Sequence, residues 1–254
     1  PPPAMKIVAC LKRVPTTEST PKVAADGTSL DPAGVQYMLS FYDEIAVEQA
    51  IRLKEQHGGE VVLLTVGPKD AQKELRDGLA RGADSGVIAV DEQWGRRDAR
   101  ATAVALVEQI KRLGADLVLA GRVATDRDNA AVGPMVATLL GWACVTDVIE
   151  LSIDGTRGVA KRESDTGLET YEFNLPAVIT CQKGLAEPRY AALKGIMAAK
   201  KKPIEEVAAA DVPNQASVAG LSLPPARKEG RILGEGAAAV APLLHALRNE
   251  ARVL

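Results

Sequence analysis

The sequence predicts an α/β protein, an open, doubly wound and mostly parallel sheet with helices on both faces. Three observations carry that expectation. Short apolar runs rich in β-branched residues recur along the chain, amphipathic stretches of helical length separate them, and glycine, proline and aspartate mark the joints. Continuous apolar runs suit strands buried on both faces of a parallel sheet. Their alternation with helices implies βαβ units.

In order, KIVACL at Lys6–Leu11 is the first strand, and Thr16–Leu39 follows without helical period. Its turn-rich Ala25-Asp26-Gly27 makes it a hairpin or excursion. Glu44–Gln56 carries charges on one face and apolar residues on the other, with Asp43 as the expected N-cap and Gly58-Gly59 as the stop. Strand Glu60–Val66, helix Lys69–Arg81, strand Gly86–Val90, helix Arg97–Leu113 and strand Asp116–Ala120 continue the alternation, with a further helix at about Asn129–Leu140. Val145–Phe173 reads as antiparallel strands turning at Asp154-Gly155, before a last buried strand at Ala177–Cys181. After Pro203 the pattern changes. Ala208–Gly236, rich in Ala, Pro and Gly, reads as an extended arm, and an amphipathic helix at about Ala238–Val253 closes the chain. The expected division is therefore a nucleotide-binding-type α/β domain over 5–203 and an arm with helix over 204–254. The latter is suited to packing on a partner subunit, or otherwise to wrapping its own domain.

Composition narrows the function. The 254 residues carry a formal net charge of −2, which argues for neither nucleic acid nor an anionic membrane as partner. Cys10, Cys144 and Cys181 form no CxxC pair or metal-ligand spacing, and an odd count suits a reducing, cytoplasmic setting. Two histidines leave little material for a histidine base or a metal site. No apolar run approaches the roughly 18 residues of a membrane span. Pro1-Pro2-Pro3-Ala4 ahead of Met5 reads as an added leader, not a targeting signal.

In an open α/β sheet, ligands bind beyond the carboxyl ends of the strands. After Asp116–Ala120 comes Gly121-Arg-Val-Ala-Thr-Asp126-Arg-Asp128-Asn129-Ala-Ala-Val132-Gly133-Pro134, a loop turning into a helix. Free backbone N–H groups and the helix dipole can hold a phosphate there, with Asp128 or Asn129 as cap and Ala130 and Ala131 allowing close approach. The spacing is neither a P-loop nor GxGxxG, so an ordinary capped helix remains an equal reading, and a nicotinamide-dependent dehydrogenase is disfavoured.

Several motifs, in order along the chain, resemble one family. They are LKRVP at Leu11–Pro15, DEIAVEQAIRLKE at Asp43–Glu55, ARGADSGV at Ala80–Val87, KRESDTGLETYEFNLPAVIT at Lys161–Thr180 and, most specifically, EPRYAALKGIMAAKKKP at Glu187–Pro203. Together, over nearly all of Met5–Val207, they resemble the electron transfer flavoprotein beta subunit. The resemblance implies an adenine-nucleotide-binding, Rossmann-like fold and a heterodimer. In it an alpha subunit carries the redox FAD on a mobile domain, with this chain forming one wall near that flavin and holding a structural AMP. Electrons would enter from flavin dehydrogenases and leave to a quinone oxidoreductase or another acceptor, with no acid, base or nucleophile supplied by this chain. The adenine end of AMP would meet Cys10, Ser40, Phe41, Tyr42, Asp43 and Val66. The phosphate end would meet Gly121, Arg122, Val123, Ala124, Asp126, Asp128, Asn129, Ala130, Ala131 and Val132.

The chain departs from the family pattern in places. Ser40-Phe41 stands where Asn-Pro is common, and Ala131-Val132 where AMP binders often have Gln-Thr. The loop also resembles the DGDTAQVGP type of electron-bifurcating relatives, in which a second FAD replaces AMP and accepts hydride from NADH. Against that pattern, Arg127 replaces the usual glycine, Asn129 a threonine and Ala131 a glutamine. AMP is the preferred expectation, with a second FAD as its alternative and an AMP/ATP-binding stress-protein-like module as the alternative of another class. The resemblance further implies partner contacts at Arg189, Tyr190, Leu193, Ile196 and Met197, with Leu193 inserting into dehydrogenases, and at Arg162 and Glu163, the latter facing an arginine of the flavin domain. Lys200–Lys202 would end a helix favourably or steer acidic partners.

Overall fold

The computed structural model describes residues 5–227 and 229–254; the stretch at 1–4 expected to be an added leader lies outside them. The elements run β1 (Lys6–Cys10), β2 (Arg13–Pro15), β3 (Tyr37–Leu39), α1 (Phe41–His57), β4 (Glu60–Gly67), α2 (Gln72–Arg81), β5 (Ser85–Val90), α3 (Ala99–Leu113) and β6 (Leu117–Gly121). They continue with α4 (Val132–Leu140), β7 (Ala143–Asp154), β8 (Arg157–Ser164), β9 (Gly167–Asn174), β10 (Ala177–Cys181), α5 (Leu193–Ala199), β11 (Ile204–Ala208) and α6 (Val240–His245).

Among the described residues, nine strands form one sheet in the order β11-β5-β4-β1-β6-β10-β7-β8-β9. It is parallel from β11 through β7 and antiparallel across the β7-β8-β9 meander. The expected α/β class is the observed one. Alternation along β1 shows how the two faces are built. Ile7 and Ala9 pack with the apolar stripes of α1 and α2, while Val8 and Cys10 pack with α3 and α4. Fully buried side chains of the size of Ile7 and Val8 each contribute about 1.5–3 kcal/mol of transfer free energy.

Some boundaries differ from expectation, each for a physical reason. Ser40 occupies the N-cap position of α1, so Asp43 lies inside the first turn and does not cap it. Lys69–Ala71 is a short 3-10 turn ahead of α2. Asp128 and Ala130 both have φ of +51°, a left-handed value no α-helix accommodates, so α4 starts at Val132. Ala131 holds its N-cap position with no side-chain cap, and neither Asp128 nor Asn129 serves.

The excursion between β1 and α1 contains the two-stranded β2–β3 sheet and a bridge from Val23 to Leu30. Its turn is held by Asp26, whose carboxylate accepts the N–H groups of Thr28 and Ser29 at 2.9 Å each. Beyond Pro203, the first residues pair as β11 alongside β5. That strand escapes notice in the sequence because it is charged: Glu205 and Glu206 sit on a sheet edge, where charge is tolerated and protects against further pairing. The chain divides into two units, Pro1–Leu221 and Ser222–Leu254. The second contains a 3-10 turn at Gly236–Ala239, α6, a wider helical turn at Ala246–Glu250 and an ion pair between Arg231 and Glu250.

Candidate functional site

Chain order along the sheet reverses at β1, whose neighbours are β4 on one side and β6 on the other. A crevice opens at the carboxyl ends of these strands, where open α/β sheets bind ligands. Cys10 and Lys12 follow from β1, Val66 from β4, and Ala120 and Gly121 from β6. One wall is the loop from Arg122 to Gly133. The other is Trp94, Arg97 and Asp98, with Thr102 and Leu106 of α3 behind them.

Asp43 ties the two sides of the switch together. Its buried carboxylate accepts the N–H of Lys12 at 2.8 Å and that of Gly121 at 2.9 Å, linking the segment after β1 to the end of β6. Burial pushes its pKa up to about 7, against the opposing pull of those two N–H groups. Gly121 has to be glycine here, since a Cβ would lie 2.4 Å from Asp43 Oδ1 and 2.8 Å from the Asp43 nitrogen. Burial also pushes the Cys10 thiol up to about 12, so it stays neutral. On the crevice floor the thiol is thus neutral, while Asp43 titrates near neutrality.

The Arg122–Gly133 wall is shaped for an anion. The Ala124 carbonyl accepts from Arg127 N–H at 3.2 Å and Asp128 N–H at 2.9 Å, turning the loop back on itself. Left-handed Ala130 followed by right-handed Ala131 turns successive N–H groups toward one side, and the uncapped first turn of α4 adds its free donors. A left-handed alanine costs about 1–3 kcal/mol, strain of the kind that gathers at ligand sites. The small side chains at 130 and 131 leave that backbone accessible. These residues therefore fit a phosphate.

Four cationic side chains line the crevice. Lys12 binds the Asp126 carboxylate at 2.7 Å; burial lowers its pKa and Asp126 raises it, with burial prevailing. Arg97 pairs with Asp91 and Arg122 with Asp147 at 2.6 Å. Arg127 reaches across the mouth and donates to the carbonyls of Gly95 and Arg97 (2.8 Å for the latter). Among the described residues it is the one crevice cation without a carboxylate partner.

Of the residues expected at the nucleotide, Cys10, Asp43, Val66, Gly121, Arg122, Val123, Ala124 and Asn129 through Val132 line the crevice. Ser40, Phe41, Tyr42, Asp126 and Asp128 do not. Ser40 is fully buried and accepts a 3.4 Å bond from Thr125 N–H, while Phe41 packs edge-to-face on Tyr42. Sequence reading missed Lys12 and the whole Trp94–Asp98 wall, which belongs to a connection with no motif of its own.

The family model described as electron transfer flavoprotein domain matches residues 28–212. The chain is 36% identical over 260 residues to the electron transfer flavoprotein subunit beta of Bacillus subtilis, covering 98% of this chain and all of that protein. The chain belongs to the electron transfer flavoprotein family. It is also 38% identical over 253 residues to the beta subunit of Bradyrhizobium diazoefficiens, covering 98% of this chain and all of that protein. To the caffeyl-CoA reductase-Etf complex subunit CarD of Acetobacterium woodii it is 38% identical over 202 residues, covering 79% of this chain and 77% of CarD.

The segment that most specifically resembles this electron transfer flavoprotein family, Glu187–Pro203, is anchored below and apolar above. Arg189 folds inward. Its guanidinium donates to Glu48 at 2.8 and 3.0 Å and to Glu55 at 2.6 and 2.9 Å, so this residue holds the loop on α1 and is not available as a free contact. Burial raises the Glu48 carboxyl, but the bonds from Arg189 and Arg52 outweigh it and hold the group below its usual range. Gly195 packs α5 onto α2 so closely that a Cβ would lie 2.2 Å from the Ala80 carbonyl oxygen. Arg76 donates to the carbonyls of Ala199 and Lys202, and Lys202 to those of Leu79 and Ala83, so α5 and α2 cap each other's ends. Lys202 thus serves α2, while Lys200 and Lys201 stay exposed. On this base Tyr190 is 99% exposed and Leu193 77%, with Ile196 and Met197 exposed beside them.

Arg162 and Glu163 part company. Arg162 pairs across the hairpin with Glu169 at 2.7 Å and lies over the Tyr171 ring, 5.2 Å from its centroid. Glu163 is exposed, on β8.

Proposed function

We propose that the chain is the beta subunit of a heterodimeric electron transfer flavoprotein, with AMP as a structural ligand in the crevice and the redox FAD mainly on the alpha subunit. Full-length similarity to two beta subunits is the observation that carries this reading. The fit of the crevice to a mononucleotide supports it. Neutral Cys10 and Val66 would take the adenine end, and the backbone N–H groups of Ala130, Ala131 and Val132 the phosphate. The FAD supplies one- and two-electron chemistry when bound. The residues of this chain bind, orient and dock. Leu193, Tyr190, Ile196 and Met197 form a crest for flavin dehydrogenases, where one inserted side chain gives weak, fast docking. Exposed Glu163 would meet an arginine of the moving flavin domain, a contact worth about 0–1 kcal/mol and hence readily exchanged. Of the arm expected over 204–254, Ile204–Ala208 pairs in this chain's own sheet as β11, and the segment over 222–254 would pack on the alpha subunit. Free thiols at Cys10, Cys144 and Cys181 suit the reducing cytoplasm, and no described helix is long and apolar enough to cross a membrane.

Co-expression with the alpha subunit tests the assignment. A yellow one-to-one complex reduced by a dehydrogenase and reoxidised by an electron acceptor is expected. A chain that purifies as a homodimer with bound AMP or ATP and no flavin subunit overturns it in favour of a nucleotide-sensing module. The similarity to CarD favours a second reading, a bifurcating complex with a second FAD in the crevice. Bleaching of the complex by NADH, with two flavins per heterodimer, would identify that class.

A further inference from the structure

We infer that Arg127 selects the ligand of the crevice, admitting a nucleoside monophosphate and excluding a pyrophosphate-linked dinucleotide. The inference rests on the reading of the crevice as an adenine-nucleotide site. The guanidinium starts on one wall and ends on the other, on the carbonyl oxygens of Gly95 and Arg97. It is therefore a strap across the mouth, and a ligand extended beyond its first phosphate would have to displace it. The strap also carries charge. Lys12, Arg97 and Arg122 are each neutralised by an aspartate, whereas Arg127 has carbonyl partners alone among the described residues. A guanidinium has five N–H donors. Two are engaged by the carbonyls, and the remainder can donate to an anion at the mouth. A terminal phosphate dianion is the complement of such a group, because it presents several free oxygens and the greater charge at one point. A bridging phosphate offers less charge and must continue outward where the strap lies. Closing the mouth and rewarding a terminal phosphate thus favour the same class of ligand.

The test uses the heterodimer equilibrated with equal concentrations of AMP and FAD, then washed, denatured and analysed by chromatography, for wild type, Arg127→Gly and Arg127→Gln. Glycine removes strap and charge; glutamine does so without loosening the backbone, and retention of the alpha-subunit FAD reports folding in both. The ratio of AMP to FAD in the crevice should fall at least about tenfold in both variants, the size expected from losing one charge-assisted contact. A ratio within twofold of wild type in either well-folded variant overturns the selection. Wild-type protein whose crevice already prefers FAD overturns it too. Wild type that takes neither nucleotide refutes the adenine-nucleotide reading of the crevice itself, a separate result.

Discussion

Arg127 lies across the crevice mouth on two carbonyl oxygens, whereas Arg189 folds beneath the docking loop onto the carboxylates of Glu48 and Glu55. Carbonyl partners fix a guanidinium without neutralising it, so the rim keeps a cation for a ligand. Carboxylate partners neutralise it, so the loop above Arg189 presents apolar side chains on a rigid base. In the proposed function the crevice holds one anion still, and the loop is touched and released by dehydrogenases. Each substitution below breaks one side of that contrast and should leave the other intact.

The largest effect is expected at the crevice floor. Gly121→Ala would drive a methyl into the Asp43 carboxylate and the backbone at Tyr42–Asp43. Overpacking against backbone costs about 1–3 kcal/mol, and more where nothing can yield. The heterodimer should lose bound nucleotide and melt lower by calorimetry, while a variant that retains both would remove Asp43 from its bridging role.

Next is Arg189→Ala, which leaves the buried Glu48 with Arg52 alone. Since Arg189 is itself about a third exposed, a cost of about 1–3 kcal/mol is expected. At roughly 2–4 °C per kcal/mol for a chain of this size, the melting temperature should drop measurably with nucleotide content unchanged. An unchanged melting curve would show that the loop is held by something else.

Asp43→Asn sharpens the comparison through pH. The carboxyl of Asp43 is raised in the fold from 3.8 to about 7, so the native state favours its protonated form. The native state then binds more protons than the unfolded chain between these values, and stability falls as pH rises from about 4 to 7. Wild type should lose more stability across that window, by denaturant titration, than Asp43→Asn does. Parallel profiles would place the titration elsewhere.

The smallest structural effect belongs to the crest. Leu193→Ala removes an exposed side chain and should change stability by less than about 0.5 kcal/mol. Stopped-flow reduction by a dehydrogenase should nevertheless slow. Loss of nucleotide with unaltered partner kinetics would reverse the assignment of the two regions.

Much of this was readable along the chain wherever cause and effect are local. Apolar runs gave β1, β4, β5, β6 and β10, helical period gave α1 through α3, and Asp154-Gly155 gave the β7–β8 turn. What stayed hidden depends on partners far away in sequence. Asp43 looks like a cap until Lys12 and Gly121 come within bonding distance of it. Arg189 looks like surface until α1 is laid beneath it, 134 and 141 residues back in the chain. The strand at Ile204–Ala208 carries too much charge to stand out, because only its pairing with β5 makes it an edge. The crevice wall contributed by the Arg122–Gly133 loop was legible from its position after a strand. The opposite wall at Trp94–Asp98 was not, since nothing in its composition marks it as facing a ligand.

The most direct measurement is the nucleotide inventory of the purified heterodimer, denatured and quantified for AMP and FAD. One AMP and one FAD per heterodimer is the predicted result, and makes the Arg122–Gly133 loop a structural phosphate cradle. Two FAD and no AMP would contradict it and make the crevice an entry point for hydride.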